Sequence, residues 1–251
     1  ALGCTLKIVN FADEQLEIVR NPAHGYGSAA NPCIDCHMAM LKRAEAYMRE
    51  IGADFIVTGE VMGQRPMSQR AYSLALINRE TGLDGLILRP LSAKVLPPTD
   101  AEKNGLIDRE KLENITGRTR DRQMELAKTF GLTKYPTPAG GCLLTDPLLG
   151  RRVLDLVEHA QLTLNDAHLV KVGRHYRLDS GTRVIVGRDQ RENGVVKTFA
   201  RRGDLLLELA DMMGPTALLR GDAGENNVKT AAALCARSSK AKTATAARVR
   251  V

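Results

Sequence analysis

The chain has 251 residues, 43% hydrophobic and 26% charged, with a net charge of +7, enough apolar material for one large or two modest domains. Aromatic residues make up 4% and Trp is absent, so any nucleic-acid recognition is expected to lean on charge and shape more than on an aromatic stacking platform. No apolar run approaches the roughly 18–20 residues of a membrane span, and Ala1-Leu2-Gly3-Cys4 lacks the basic and apolar regions of a secretory leader; no membrane partner and a cytoplasmic location are expected.

In chain order, Thr5–Val9 predicts a short strand, and the spacing of Leu16 and Val19 predicts a helix over 12–20. Periodicity then vanishes from Asn21 to Asp35, a loop of about fifteen residues with two Asn-Pro pairs, longer than structural connections usually are. It ends at Asn31-Pro32-Cys33-Ile34-Asp35-Cys36-His37. Met38, Leu41, Ala44, Met48 and Ile51 mark the apolar face of the following helix, which Gly52 stops. Asp54–Thr58 reads as a buried parallel strand, Ser68–Glu80 as a helix capped by Ser68, and Gly85–Leu88 as a second strand. This order predicts an α/β fold with a Rossmann-like parallel sheet, whose ligands lie outside the carboxyl ends of the strands. Thr58, Gly59, Glu60, Gln64 and Ser68 stand at such an end, as nucleotide-contacting residues or as a polar loop capping the next helix. Arg89 and Lys94 leave the next strand, placed to neutralise phosphate or simply exposed.

Pro97–Asp100 opens a connecting segment, a helix is expected from about Arg120 to Phe130, and Tyr135–Gly141 is a rigid loop carrying Cys142. After Gly150 the texture changes to a smaller α+β domain: strands over 169–172, 173–177 and 183–187 with a turn between them, helices from about Glu192 and Asn226, and a terminal strand over 248–251. Charge is segregated as well. Residues 1–150 carry 18 Lys/Arg against 18 Asp/Glu, and residues 151–251 carry 18 against 11, so the second part holds the whole excess and is a candidate polyanion-binding module.

Five cysteines in a chain without secretory features argue for metal or thiolate chemistry rather than a disulfide framework. Cys33 and Cys36, three apart, can engage one metal or cluster or form a redox pair. A zinc site would need further ligands, of which His37 and Cys142 are the evident candidates. A site of Cys33, Cys36 and Cys142 would leave one iron of a four-iron cluster open to substrate. Cys36, near a helix N-terminus, is favoured as thiolate, whereas Cys4 and Cys235 read as inert core thiols.

Four stretches, Asn31–His37, Phe55–Gln69, Leu88–Lys94 and Pro136–Asp146, resemble the tRNA-thiolating branch of the ATP-pyrophosphatase (PP-loop) family, relatives of the 2-thiouridylases and 4-thiouridine synthases. Residues 151–251, with Val172–Leu178 and Val184–Asn193, look like the NFACT-type RNA-binding domain. The resemblance implies a partial PP-loop adenine-nucleotide domain over 1–95, a connecting segment over 96–150 and a basic RNA-binding domain over 151–251. It implies ATP with Mg as cosubstrate, which adenylates a uridine carbonyl in tRNA, and a sulfur nucleophile that displaces AMP. The sulfur would come from a donor protein or sulfide, as a persulfide on Cys36 or as hydrosulfide on a [4Fe-4S] cluster held by Cys33, Cys36 and Cys142, with zinc the alternative metal. Lys171, Arg174, His175, Arg177, Arg183, Arg188 and Arg191 would contact RNA phosphates. The family's Ser-Gly-Gly-x-Asp-Ser phosphate loop, which would stand before Ala1, does not occur in these residues. An RNA-binding protein without catalysis is therefore the alternative expectation.

Overall fold

The longest helix in the computed structural model, α2 (Cys33–Glu50), begins at Cys33 itself, five residues earlier than the periodicity predicts. Pro32 occupies its N-cap, a position where a fixed φ and a missing N–H cost the helix nothing. The cysteine pair therefore sits in the first turn of a helix rather than in the loop before it. The structure describes residues 3–135, 141–239 and 247–251. Two units divide the chain, one of residues 17–142 and one of residues 143–251 together with 1–16.

In the first unit, β1 (Ile56–Val57) pairs in parallel with β2 (Ile87–Leu88). Helix α3 (Ala71–Thr81) connects them and ends at Gly82, whose φ of 69° is the left-handed value a helix stop requires. Its N-cap is Arg70, not Ser68, and Ser68 is buried one turn earlier. Leu41 and Met48 of α2, Ile77 of α3, and Ile56 and Ile87 of the strands pack into one core with Leu83. This is the expected small parallel α/β arrangement. The connecting segment is folded onto it: Thr116 bridges Met62 in parallel, and the Gly117 N–H donates to the Met62 carbonyl at 2.8 Å. Two further helices lie along this segment, α4 (Asp100–Lys103) and α5 (Asp121–Thr129). A capping box of Thr99 and Glu102 starts α4.

The second unit carries α1 (Ala12–Arg20) in part, α6 (Pro147–Glu158) and α7 (Leu164–Leu169), then β3 (Arg174–Arg177), β4 (Arg183–Val186), α8 (Gln190–Thr198), β5 (Leu205–Leu209), β6 (Ala217–Arg220), α9 (Glu225–Arg237) and β7 (Val249–Arg250). The five strands form one antiparallel sheet in the order β3-β4-β6-β5-β7. Alternate side chains face opposite cores. Val184, Val186, Leu207, Ala217 and Leu219 meet Ala231 and Cys235 of α9, while Ile185 and Leu218 meet Leu169 of α7 and Val196 of α8.

Two expectations are overturned, and two strands were not anticipated. Residues 4–11 have no regular structure, and Leu6 and Ile8 are more than 80% exposed; a β-rich run without a hydrogen-bonding neighbour does not make a strand. Residues 169–172 form the end of helix α7, which a Thr163–Asp166 capping box starts, and the turn after it, instead of a strand. Strands β5 and β6 carry uninterrupted apolar runs, Leu205–Leu207 and Ala217–Leu219, with no alternation to betray them, because β6 lies between two neighbours with both faces covered. Among the described residues no helix is long and apolar enough to cross a membrane.

A buried ion network stitches this unit. Asp166, wholly inaccessible, accepts from Arg183 of β4 and Arg220 of β6, and Arg220 also donates to Asp204 at 2.6 Å and to the Phe199 carbonyl at 2.9 Å. Burial works against the Asp166 carboxylate, but the Thr163 hydroxyl and the two guanidiniums outweigh it and lower its pKa. Asp166→Ala leaves two buried guanidiniums short of a partner and is expected to cost about 3–5 kcal/mol in urea unfolding; a change below about 1 kcal/mol would show that solvent reaches the network.

Candidate functional site

Cys33 and Cys36 are both half-buried. The long loop before them has a purpose visible in its bonds. The Gly27 N–H donates to the Asn31 carbonyl at 2.9 Å, the Ala29 N–H donates to Asn31 Oδ1 at 3.1 Å, and Asn31 Nδ2 donates to Cys33 Sγ at 3.1 Å. His24 reaches back to the helix start: its Nδ1 is 2.9 Å from Asp35 Oδ1 and its Nε2 is 3.2 Å from Glu80 Oε2 of α3. The hydrogen bond to Asp35 raises the imidazole pKa above its ordinary value, so part of the population near neutrality is cationic and cancels the Asp35 charge.

His37 points to the strand ends. Its Nδ1 lies 2.8 Å from Glu60 Oε1 and its Nε2 lies 3.4 Å from the Ser68 hydroxyl. The other Glu60 oxygen accepts from Arg89 Nε at 2.8 Å and from the Thr58 hydroxyl at 3.1 Å, and Arg89 NH2 donates to Asn78 at 3.1 Å. Burial raises the Glu60 pKa, yet the His37 hydrogen bond and the Arg89 charge together leave it lowered. Of the residues expected to meet a nucleotide, Glu60 and Ser68 are thus buried in internal contacts and Gln64 bonds Gln123 at 2.9 Å. Thr58 is half-buried and Gly59 exposed. These five do not by themselves form an open phosphate cradle. Arg89, expected to neutralise phosphate, is 4% exposed and serves Glu60, while Lys94 donates to the Glu110 carbonyl at 2.7 Å.

Cys142 is exposed, and its preceding residues 136–140, with the Pro-Thr-Pro-Ala-Gly motif, lie outside the described residues. Among the described residues no three His, Cys, Asp or Glu side chains are placed to share a metal ion. Cys235 is buried against the sheet, where desolvation pushes its pKa up to about 11, the behaviour of an inert core thiol.

The second unit carries a basic groove of about 660 Å³ lined by Arg151 and Arg152 of α6, Arg174, His175, Tyr176 and Arg177 of β3, and by Arg183 and Arg188, with Asp155 the carboxylate among them. Its charges are not equivalent. Arg177 pairs with Asp155, Arg188 with Glu192, and Arg183 with buried Asp166. His175 donates Nε2–H to the Val172 carbonyl at 2.9 Å; burial, reinforced by Arg152, pushes its pKa down to about 4, so it is neutral and brings no charge. Arg152 donates to the Val170 and Gly173 carbonyls at 2.8 and 2.9 Å. Arg151 and Arg174 are exposed and form no ion pair among the described residues, and Lys171 and Arg191 are exposed likewise. Arg151 and Arg152 were missed by the sequence reading. The signal was there as an Arg-Arg pair on an amphipathic helix, ahead of the stretch whose motifs drew attention.

Replacing Glu60 by Gln removes the charge that pairs with buried Arg89 and is expected to cost about 3–5 kcal/mol of stability. Because the native pKa of Glu60 is lowered, its contribution is full above the unfolded carboxylate value of about 4.3 and is lost as the pH falls through the lower native value. Urea titrations across that acid window check the sign: the variant's loss relative to the native protein shrinks there.

Comparison with known proteins finds two family models on the chain. Residues 1–95 match the thiamine biosynthesis protein (ThiI) model, and residues 173–251 match the NFACT protein RNA binding domain. No curated protein matches. Among solved structures, the C-terminal part of the fibronectin/fibrinogen-binding protein from Streptococcus suis is 24% identical with a TM-score of 0.27; the match covers 38% of this chain and 42% of that one.

Proposed function

We propose that this chain handles sulfur for the thiolation of a uridine in tRNA, with the N-terminal thiols carrying the chemistry and the basic C-terminal groove holding the RNA. The observation that carries the reading is the pair of half-buried thiols in the first turn of α2, inside the segment that matches the ThiI model and in one chain with a segment matching an RNA-binding domain. Chemically, a uridine carbonyl oxygen is a poor leaving group. Adenylation by ATP and Mg turns it into AMP, and a sulfur nucleophile then displaces it. The residues described supply the sulfur side of that exchange: Cys33 and Cys36 as thiols, with a persulfide or sulfide as the source. Thr58 and Gly59, at the end of β1, are the contacts this unit offers to a nucleotide.

RNA binding rests on phosphate neutralisation along the groove. The uncompensated guanidiniums of Arg151 and Arg174, with Lys171 and Arg191 nearby in sequence, are the strongest contributors. The paired arginines fix the groove's shape, and Arg177 and Arg188, being partly exposed, exchange their carboxylates for phosphate only at a cost. The buried state of Glu60 and Ser68 favours a second reading, an RNA-binding protein with no turnover of its own.

Two experiments decide. Arg151→Ala and Arg174→Ala are each expected to weaken tRNA binding and to reduce the slope of log affinity against log salt by about 1, as fluorescence anisotropy at several salt concentrations measures; unchanged slopes would remove the groove from the interface. Cells carrying Cys33→Ser or Cys36→Ser in place of the native chain should lack a thiolated uridine that mass spectrometry of tRNA nucleosides finds with the native chain. Normal thiolation with salt-sensitive RNA binding intact would favour the second reading.

A further inference from the structure

Asn31 has an amide whose surroundings are unusual. It is 4% exposed, and the two N–H groups of Nδ2 find only sulfur, Cys33 Sγ at 3.1 Å and Met67 Sδ at 3.9 Å. The amide cannot be turned the other way, because Oδ1 already accepts the Ala29 N–H. A neutral thiol and a thioether are weak acceptors, and a buried donor left poorly paired is costly. A thiolate is a strong acceptor, since hydrogen bonds to an ionised partner are roughly twice as strong.

The helix adds to this. Cys33 is the first residue of α2, and Pro32 at the N-cap offers no side-chain acceptor to the free N–H groups of the first turn. The positive end of the helix thus lies beside the sulfur that the amide points at. Cys36 is one turn in, and its N–H already donates to the Pro32 carbonyl at 2.9 Å. Gly27 holds the arrangement: a Cβ there would lie 2.3 Å from Asn31 Nδ2 and 2.9 Å from Met67 Sδ, so the loop closes over the amide only with glycine at this position. The charged and titratable groups around the helix start are Asp35 and Cys36 of α2, His24 of the loop with Glu80 of α3, and His37 with Glu60. Asp35 and Glu60 are each engaged by an imidazole, which limits their opposition to an anionic sulfur.

We infer that Cys33 is the sulfur-accepting thiol of the pair and that Asn31 is its positioning residue. This rests on the sulfur-handling reading above and goes beyond it by giving the two thiols different roles. The step it performs is an exchange. Cys33 thiolate attacks the outer sulfur of a persulfide donor, R–S–SH; a new S–S bond forms as the donor's S–S bond breaks, the products being Cys33–S–SH and R–S⁻, with no net oxidation. The Asn31 N–H that faced the thiolate remains against the sulfur bound to Cβ.

The test is alkylation of the full chain by iodoacetamide from pH 5 to 9, with each thiol followed separately by peptide mass spectrometry. Cys33 is expected to react about tenfold faster than Cys36 at the acid end of the range, because an amide N–H and the helix N-terminus face its sulfur. Asn31→Ala should slow Cys33 about tenfold there and leave Cys36 unchanged, and Gly27→Ala, which keeps the amide but displaces it, should do the same. Far-ultraviolet circular dichroism confirms that each variant is folded. In parallel, glutathione persulfide should add one sulfur to the Cys33 peptide. Faster alkylation of Cys36, a Cys33 profile indifferent to both variants in folded protein, or the added sulfur settling on Cys36 would overturn the inference. Neither assay contains tRNA, so the predicted Cys33 profile together with normal tRNA thiolation in cells lacking the protein supports this role for Cys33 and counts against the tRNA reading alone.

Discussion

A single buried carboxylate fixes the N-terminal unit. Glu60 stands just past β1 and takes up His37 from α2, Thr58 from the end of its own strand and Arg89 from the end of β2. Three chain segments far apart in sequence therefore share one anion, and none of them can move outward without leaving a charge unpaired in a place water does not reach. The direction of α2 follows from this. His37 is the residue after Cys36, so anchoring the imidazole anchors the turn that carries both thiols. The parallel strand pair is only two residues long, too little to set a helix in place by hydrogen bonding alone. The hydrophobic core of Leu41, Met48, Ile77 and Ile87 brings the elements together, and the Glu60 cluster sets their register at the carboxyl end of the strands.

The C-terminal unit solves a different problem with similar parts. It gathers guanidiniums on one side, and gathered guanidiniums repel. Asp166 and Asp204 take Arg183 and Arg220 out of that balance by pairing them inside, and Asp155 and Glu192 hold Arg177 and Arg188 at the rim. Arg151 and Arg174 are then free to project. Net charge of a segment is thus a poor guide to which cations act: the excess in 151–251 is real, but the arginines that express it are those without a carboxylate at hand.

The fold was readable where one face of an element is wet. Helices over 12–20 and in the 190s and 220s, and the strand pair around Ile56 and Ile87, follow from periodicity and glycine stops. Strands β5 and β6 were not legible, because burial on both faces removes the alternation that marks a strand, and the first turn of α2 was not legible because its residues precede the apolar spacing that begins at Met38. For the site, the spacing of Cys33 and Cys36 at the start of a helix could be read directly. What spacing does not carry is direction. That Arg89 turns inward to Glu60, that Arg183 faces Asp166, and that Asn31 turns its amide to Cys33 all depend on contacts between residues up to dozens of positions apart.

The order of strands in the C-terminal sheet has a consequence beyond ligand binding. An open antiparallel sheet exposes two edges, each able to recruit a strand from another molecule. Here one edge is β7, two residues long with Arg250 bonded across to Glu208, and the other is β3, whose four residues include Arg174 and Arg177. Two copies meeting edge to edge along β3 would oppose guanidinium to guanidinium. The charge carried on β3 thereby guards this edge against self-association, a protection that a sheet with an apolar edge strand of the same length would lack.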